Sequence, residues 1–140
     1  MNRDYVGREY PPILFEVTSE VTEAFADAIR DGSPAFRGPD AIAPLSFVTR
    51  PQMAAAHAFA DDPELGLDWE TVIHGDQEFE WIDPLRAGTL YSAVTRIVSI
   101  KGRAPLEFMQ IETEVTDPDG KVAVRSRSTL VSRELEGGEG

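Results

Sequence analysis

One turn constrains this chain more than any other feature. "DPDG" at residues 117–120 separates two runs of alternating character, and folding the chain about it aligns them. One face then carries Met109, Ile111, Thr113 and Val115 beside Val122, Val124, Ser126 and Ser128. The other face sets Glu112 and Glu114 against Arg125 and Arg127, so opposite charges meet across the strands. A hairpin with one apolar and one charged face must be covered on the apolar side.

The flanking segments supply the rest of a sheet and its cover. Strands are predicted over 70–82, 88–101, 105–117 and 121–133, with "KGRAP" as a second turn. "QEFEW" alternates and places Phe79 and Trp81 inward. A short strand, "ILFEV", spans 13–17. A helix is expected over 18–32, capped by Thr18 or Ser19, with Glu20 and Glu23 at its positive end and Gly32 to stop it. Its apolar face is Val21, Phe25, Ala28 and Ile29. Residues 31–51 hold four prolines and two glycines, which excludes a long regular element, although "AIAPLSFV" is apolar enough to pack. A second helix is expected over 50–62, with Pro51 in its first turn and alanines that allow close approach to a sheet. "ELEGGEG" at 134–140 reads as a frayed tail. The sum is one α+β domain over 1–140: a curved antiparallel sheet of about five strands wrapped around a helix, its edge strands free to pair with a second chain.

Composition removes several functions. There is no cysteine, so disulfides, thiolate catalysis and Cys-based metal sites are excluded. "MNRDYVGREYPP" is no secretory leader, and no apolar run approaches the ~18 residues of a membrane helix, so the expectation is a soluble cytoplasmic protein with no membrane partner. A net charge of -12 makes nucleic acid a poor partner. Seven of the 13 bases lie between Arg96 and Arg133, read here as alternating charge on the solvent face of the sheet.

Few residues offer chemistry. His74 and Asp76 share a strand face and match no metal pattern, and His57 lacks a second histidine at i+4, so no metal site is expected. Ser33, Ser46 and Ser92 sit in no nucleophile motif, and no glycine-rich phosphate loop is present. Asp31, at the end of the first helix, has two readings. It is a common turn aspartate, or it is a general base beside a pocket. His74 alone is more often a structural strand residue than a catalytic one.

Three stretches carry a family resemblance. "FADAIRDGSPAF" (25–36) is similar to a loop in which a helix ends in Gly-Asp, then Asn-Pro, then a histidine. "IAPLSFV" (42–48) is similar to the segment leading into a central helix. "VIHGDQEFEWIDPLRAGTL" (72–90) is similar to a Leu-His-Gly-Glu-Gln strand followed by Pro-Leu and Gly, and is the most specific of the three. From about Val6 to Arg133 the chain resembles the MaoC-like hydratase/dehydratase family of hot-dog proteins, and within it the N-terminal or partner type. The resemblance implies a hot-dog fold and reversible syn hydration of an enoyl thioester of coenzyme A or acyl carrier protein. An Asp and a His five residues apart hold the water, backbone amides polarise the thioester carbonyl, and no cofactor is needed.

The carry-over is partial. Asp31 matches the catalytic aspartate, but Phe36 stands where active members have histidine, and Ser33 replaces the loop asparagine. Pro44 and Leu45 stand at the carbonyl-binding turn, and Pro44 has no N–H to offer an oxyanion. Losing one member of an acid/base pair alone costs ~10²–10⁴-fold. His74 matches its own position in the partner type, which explains it without a catalytic role.

Three functions follow. The first is a non-catalytic or substrate-binding subunit of a 3-hydroxyacyl-thioester dehydratase, paired edge to edge with a catalytic MaoC-like chain. Its acyl tunnel would be lined by Phe36, Leu45, Phe47 and the helix at 51–60, with Pro44 and His74 also at the substrate. The second is a homodimeric hydratase or thioesterase using Asp31. The third is a non-enzymatic protein that binds an acyl thioester or another apolar ligand.

Overall fold

The computed structural model describes residues 1–133, so the tail expected at 134–140 lies outside the described residues. Five antiparallel strands form one sheet: β1 (Ile13–Val17), β2 (Ile73–Trp81), β3 (Thr89–Arg103), β4 (Leu106–Thr116) and β5 (Val122–Arg133). Their spatial order is β1-β3-β4-β5-β2. Two helices, α1 (Ser19–Ala28) and α2 (Thr49–Ala60), lie between β1 and β2 in sequence.

The β4–β5 hairpin forms as its alternation requires. Val115 faces Val124, Thr113 faces Ser126 and Ile111 faces Ser128 on the buried side. On the other side Glu114 faces Arg125 and Glu112 faces Arg127. The turn is held by Asp117, whose Oδ1 accepts the Asp119 and Lys121 N–H groups at 2.9 and 3.0 Å. Gly120 takes φ 80°, the left-handed conformation that favours glycine there. Val122 departs from the expected face: a bulge between Val115 and Thr116 pairs it with Thr116 and leaves it half-buried.

The charged face is a lattice. Arg127 Nε meets Glu112 Oε2 at 2.7 Å, Arg96 Nη2 meets Glu112 Oε1 at 2.9 Å, and Arg125 Nε meets Glu114 Oε2 at 3.1 Å. Three of the clustered bases thus neutralise carboxylates of the same sheet.

α2 crosses the other face. Its buried alanines, Ala55 and Ala56, let the backbone approach β3 and β1. Phe47 and Val48 at its start pack with Val17, Leu85, Tyr91 and Val124, while Phe59 at its end packs with Ile97, Met109 and Leu130. The helix therefore spans both halves of the core, and bulges at Ile97/Ser99 and His74/Asp76 bend the sheet.

α1 corrects the sequence reading in two ways. Thr18 caps it, its side chain accepting the Val21 N–H at 3.1 Å. The helix stops at Ala28, however, and Arg30 rather than Gly32 ends it, in the left-handed region at φ 57°. Its buried face is Thr22 and Ala26, flanked by half-buried Val21 and Phe25; Ala28 and Ile29 are exposed because the helix has turned away by then. Small buried residues bring α1 close to the loop that follows it, while Val21 and Phe25 pack against the core beside β1. That loop, 31–48, contains only two short 3-10 turns, Pro34–Phe36 and Leu45–Val48.

Candidate functional site

Asp31 sits in a closed helix terminus. The Arg30 N–H donates to Asp27 O at 3.0 Å and the Asp31 N–H to Ala26 O at 2.8 Å. This paired pattern satisfies the last carbonyls of α1. The Asp31 carboxylate then accepts the Ser33 N–H on Oδ1 at 2.9 Å, an Asx turn that starts the loop. Arg37 clamps the loop back onto the helix: its Nη2 donates to Asp31 O at 2.9 Å and to Asp27 Oδ1 at 2.8 Å. Thr22 Oγ1 donates to Phe36 O at 3.0 Å from inside the helix. Beyond the turn, Ala43 N–H donates to Leu85 O at 2.8 Å and ties the loop to the segment after β2.

Phe36 and Leu45 come together. With Ala35, Ile42, Trp81 and Ile82 they line a pocket of about 380 Å³. Leu45 is 68% exposed, so this pocket opens at the surface. Asp31 is not among its walls. Trp81 Nε1 is buried and meets no acceptor among the described residues. Pro44 is buried beside the pocket, its carbonyl accepting the Phe47 N–H at 2.9 Å.

Phe47 lies elsewhere. It is 2% exposed, with its ring edge-on to Phe25 at 5.4 Å between centroids. It forms part of a separate pocket of about 280 Å³ on the β1 side, with Val21, Arg50 and Pro51. The expected single tunnel is thus divided: Phe36 and Leu45 share one pocket, and Phe47 belongs to another.

His74 belongs to a third place, and a bulge puts it there. Gly75 interrupts the β2–β5 ladder, so His74 pairs with Leu130 while Asp76 pairs with Thr129. The expectation that His74 and Asp76 share a face is therefore overturned: the extra residue sends Asp76 to the opposite side and aligns His74 with Gln77. His74 Nε2 and Gln77 Oε1 are 3.2 Å apart. Both border a cavity of about 530 Å³ between α2 and the β2–β5 part of the sheet, walled by Met53, Phe59, Trp69 and Leu130. That volume lies in the ~300–1,000 Å³ range of small-molecule pockets, which are mostly apolar with a few convergent polar groups.

The polar groups of this cavity form one network. Gln52, buried on α2, donates through Nε2 to Gln77 Oε1 at 2.9 Å and to Ser128 Oγ at 3.4 Å. Gln77 Nε2 donates to Ser126 Oγ at 2.6 Å and to Arg127 O at 3.2 Å. Ser126 Oγ in turn donates to Gln52 Oε1. Gln52, Gln77 and Trp69 were not singled out from the sequence. A signal was present, because the hairpin already places two serines, Ser126 and Ser128, on an inward face that buries apolar side chains. Two inward hydroxyls require a polar partner from the covering helix.

Among the described residues, Asp31 and a histidine do not meet across a pocket. The Asp31 side chain serves its own turn, the residue five positions later is a phenyl ring, and the one histidine at a cavity lies on another element. Among the described residues no three His, Asp or Glu side chains gather as a metal site would need. No helix among them is long and apolar enough to cross a membrane.

Comparison with known proteins agrees with this architecture. A family model described as FAS1-like, dehydratase domain region, matches residues 4–126. A UPF0336 protein of Thermobifida fusca is 40% identical over 95% of this chain and 94% of the relative. One of Saccharopolyspora erythraea is 38% identical over 95% and 92%. Among solved structures, the C-terminally truncated HadBC (3R-hydroxyacyl-ACP dehydratase) complex of Mycobacterium tuberculosis aligns at TM-score 0.76 and 26% identity, covering 94% of this chain and all (100%) of that one. A MaoC-like dehydratase aligns at TM-score 0.83 and 21% identity, with this chain covering 43% of its length. The five-stranded sheet curved over α2 is the hot-dog fold of these neighbours, and the chain, which matches these UPF0336 proteins almost end to end, belongs to the FAS1-like dehydratase-region family.

Proposed function

We propose that this chain is a substrate-binding, non-catalytic subunit of a 3-hydroxyacyl-thioester dehydratase and that it works beside a catalytic chain of the same fold. The observation that carries this reading is the loop at 31–36. Its aspartate is held by Ser33 and its histidine position is Phe36, which lines an apolar pocket with Leu45. A phenyl ring neither takes nor gives a proton, so the water and both proton transfers fall to the partner's Asp–His pair. This chain contributes apolar walls for the acyl group.

The edge of the sheet supports the same reading. β2, nine residues long, is a terminal strand, and among the described residues its strand partner is β5 alone. A free strand edge of this length is a template for pairing with another chain. The HadBC neighbour is itself a complex, which supports the same reading. The acyl carrier is coenzyme A or acyl carrier protein, and the location is the cytoplasm.

The test is hydration of crotonyl-CoA by the purified chain, alone and mixed with a MaoC-like chain that retains the Asp-x-x-x-x-His loop. The expected result is no hydration by the chain alone, and a rate for the mixture that exceeds the catalytic chain's own. Hydration by this chain alone that disappears in Asp31→Ala would instead establish a self-sufficient enzyme.

A further inference from the structure

We propose that the cavity between α2 and the β2–β5 part of the sheet binds an apolar chain bearing one uncharged oxygen, which accepts a hydrogen bond from the Ser128 hydroxyl. That the chain is an acyl tail rests on the binding-subunit reading; the hydrogen-bond chemistry does not.

The donors and acceptors around the cavity fix where each proton points. Arg127 O can only accept, so the Gln77 group facing it at 3.2 Å is the amide nitrogen. Gln77 Oε1 must then face Gln52 and His74, and both must donate to it. Gln52 therefore presents its nitrogen to Gln77, and its oxygen accepts from Ser126. Both Gln77 amide protons and both Gln52 amide protons have acceptors, and both side-chain carbonyls are occupied.

One proton is left over. Ser128 Oγ accepts from Gln52 Nε2 at 3.4 Å, but its own hydrogen meets no acceptor among the described residues. Ser128 is 2% exposed and lies on the cavity wall, so bulk water reaches it poorly. A buried hydroxyl proton without an acceptor is costly, about 1–3 kcal/mol, unless something in the cavity supplies one. Most of the other walls, Ala56, Phe59, Val72, Ile111 and Leu130 among them, are apolar and suit an alkyl chain. No lysine or arginine lines the cavity. His74 is the one potential cation on this wall and its Nε2 proton is given to Gln77, so a carboxylate at Ser128 would be desolvated without a partner and the oxygen belongs to a hydroxyl or carbonyl.

Trp69 is a built-in reporter. It lines the cavity and stacks on Phe59, with ring centroids 5.9 Å apart. The chain has two tryptophans, so Trp81→Phe leaves Trp69 as the sole emitter. This full-length variant is titrated at pH 8 with 1-octanol, 1-chlorooctane and octanoate. Octanol is expected to give a saturable change in Trp69 emission with a Kd roughly tenfold below that of chlorooctane, the effect of one well-made hydrogen bond, and octanoate none. Ser128→Ala is expected to bring the two Kd values together, and Ser128→Thr, which keeps a hydroxyl, to hold them apart. Equal affinity for octanol and chlorooctane in the parent, or a preference that survives Ser128→Ala, overturns the proposal. So does a dimer by sedimentation that binds no probe and dissociates in Met53→Glu, because a second copy then fills the cavity. If the mixed hydration assay fails while the octanol preference behaves as stated, only the subunit reading falls; the converse result removes only this site.

Discussion

Asp31 and Ser33 are joined by a hydrogen bond in which Asp31 Oδ1 accepts the Ser33 N–H at 2.9 Å. The bond lies within one loop and holds its first turn, directly after the helix terminus formed by Arg30. An aspartate used this way is a structural residue whose worth is measured in stability. Asp31→Ala is expected to cost about 1 kcal/mol, and Asp31→Asn, which keeps the acceptor oxygen, less than half of that. Urea midpoints of the two variants check this. Equal losses would mean that the charge, and not the turn, is what the position requires.

Phe36→His introduces, five residues after Asp31, the residue type that the resemblance to MaoC-like hydratases implies for a working loop. It is not expected to create a hydratase. The Asp31 side chain remains in its turn, Pro44 still supplies no N–H, and the pocket around residue 36 remains apolar. Crotonyl-CoA hydration by Phe36→His is expected to stay at the buffer rate. Turnover above it would show that the loop needs only its lost imidazole.

Gly75 is the hinge of the His74–Gln77 alignment. A Cβ added there would lie 3.2 Å from both Thr129 O and Val131 Cγ2, on the neighbouring strand. The backbone oxygen cannot swing aside, so Gly75→Ala is expected to strain the bulge at a cost of about 1–3 kcal/mol. The strain falls on the segment that carries His74 and Gln77. The melting temperature should fall, and with it the octanol preference read by Trp69. A variant as stable as the parent would show that the ladder tolerates regular pairing here.

These residues also mark what the sequence could and could not reveal. The β4–β5 pairing was legible because a two-residue period and a strong turn fix register together, down to Glu112 opposite Arg127. The end of α1 was not, because a left-handed arginine carries no propensity signal and Gly32 lay two residues on as a more obvious stop. His74 and Asp76 were placed on one face by simple alternation, and a single bulge at Gly75 reverses that. An isolated glycine inside a strand is a bulge signal, and here it was the informative one. The substrate residues named from the loop separate because adjacency in sequence says little about which wall of a fold each faces. Phe36 and Leu45 converge from different turns, while Phe47, two residues beyond Leu45, belongs to another pocket. The Gln52–Gln77–Ser128 cluster joins three elements far apart in the chain, which no local pattern reports.

Glu112 gives the fold a defined acid sensitivity. Burial raises the pKa of its carboxyl, but hydrogen bonds from Arg96 and Arg127, together with their charge, outweigh that and hold it below the usual carboxylate value. The folded pKa is thus lower than the unfolded one. In the interval between them the unfolded chain binds more protons, so the pair's contribution is complete above the ordinary glutamate range, near ~4.3, and is lost as pH falls through the folded value. Arg96 and Arg127 are partly exposed, which screens the attraction, so Glu112→Gln is expected to cost about 1–2 kcal/mol at pH 7 rather than the ~3–5 kcal/mol of a fully buried pair. Acid protonates Glu112 in the parent and cannot change the glutamine. The difference in urea midpoint between parent and variant should therefore narrow steadily from pH 5 downward and be small by about pH 2. A difference that stays constant across that range would mean that Glu112 acts through packing and neutral hydrogen bonds, with its charge contributing nothing.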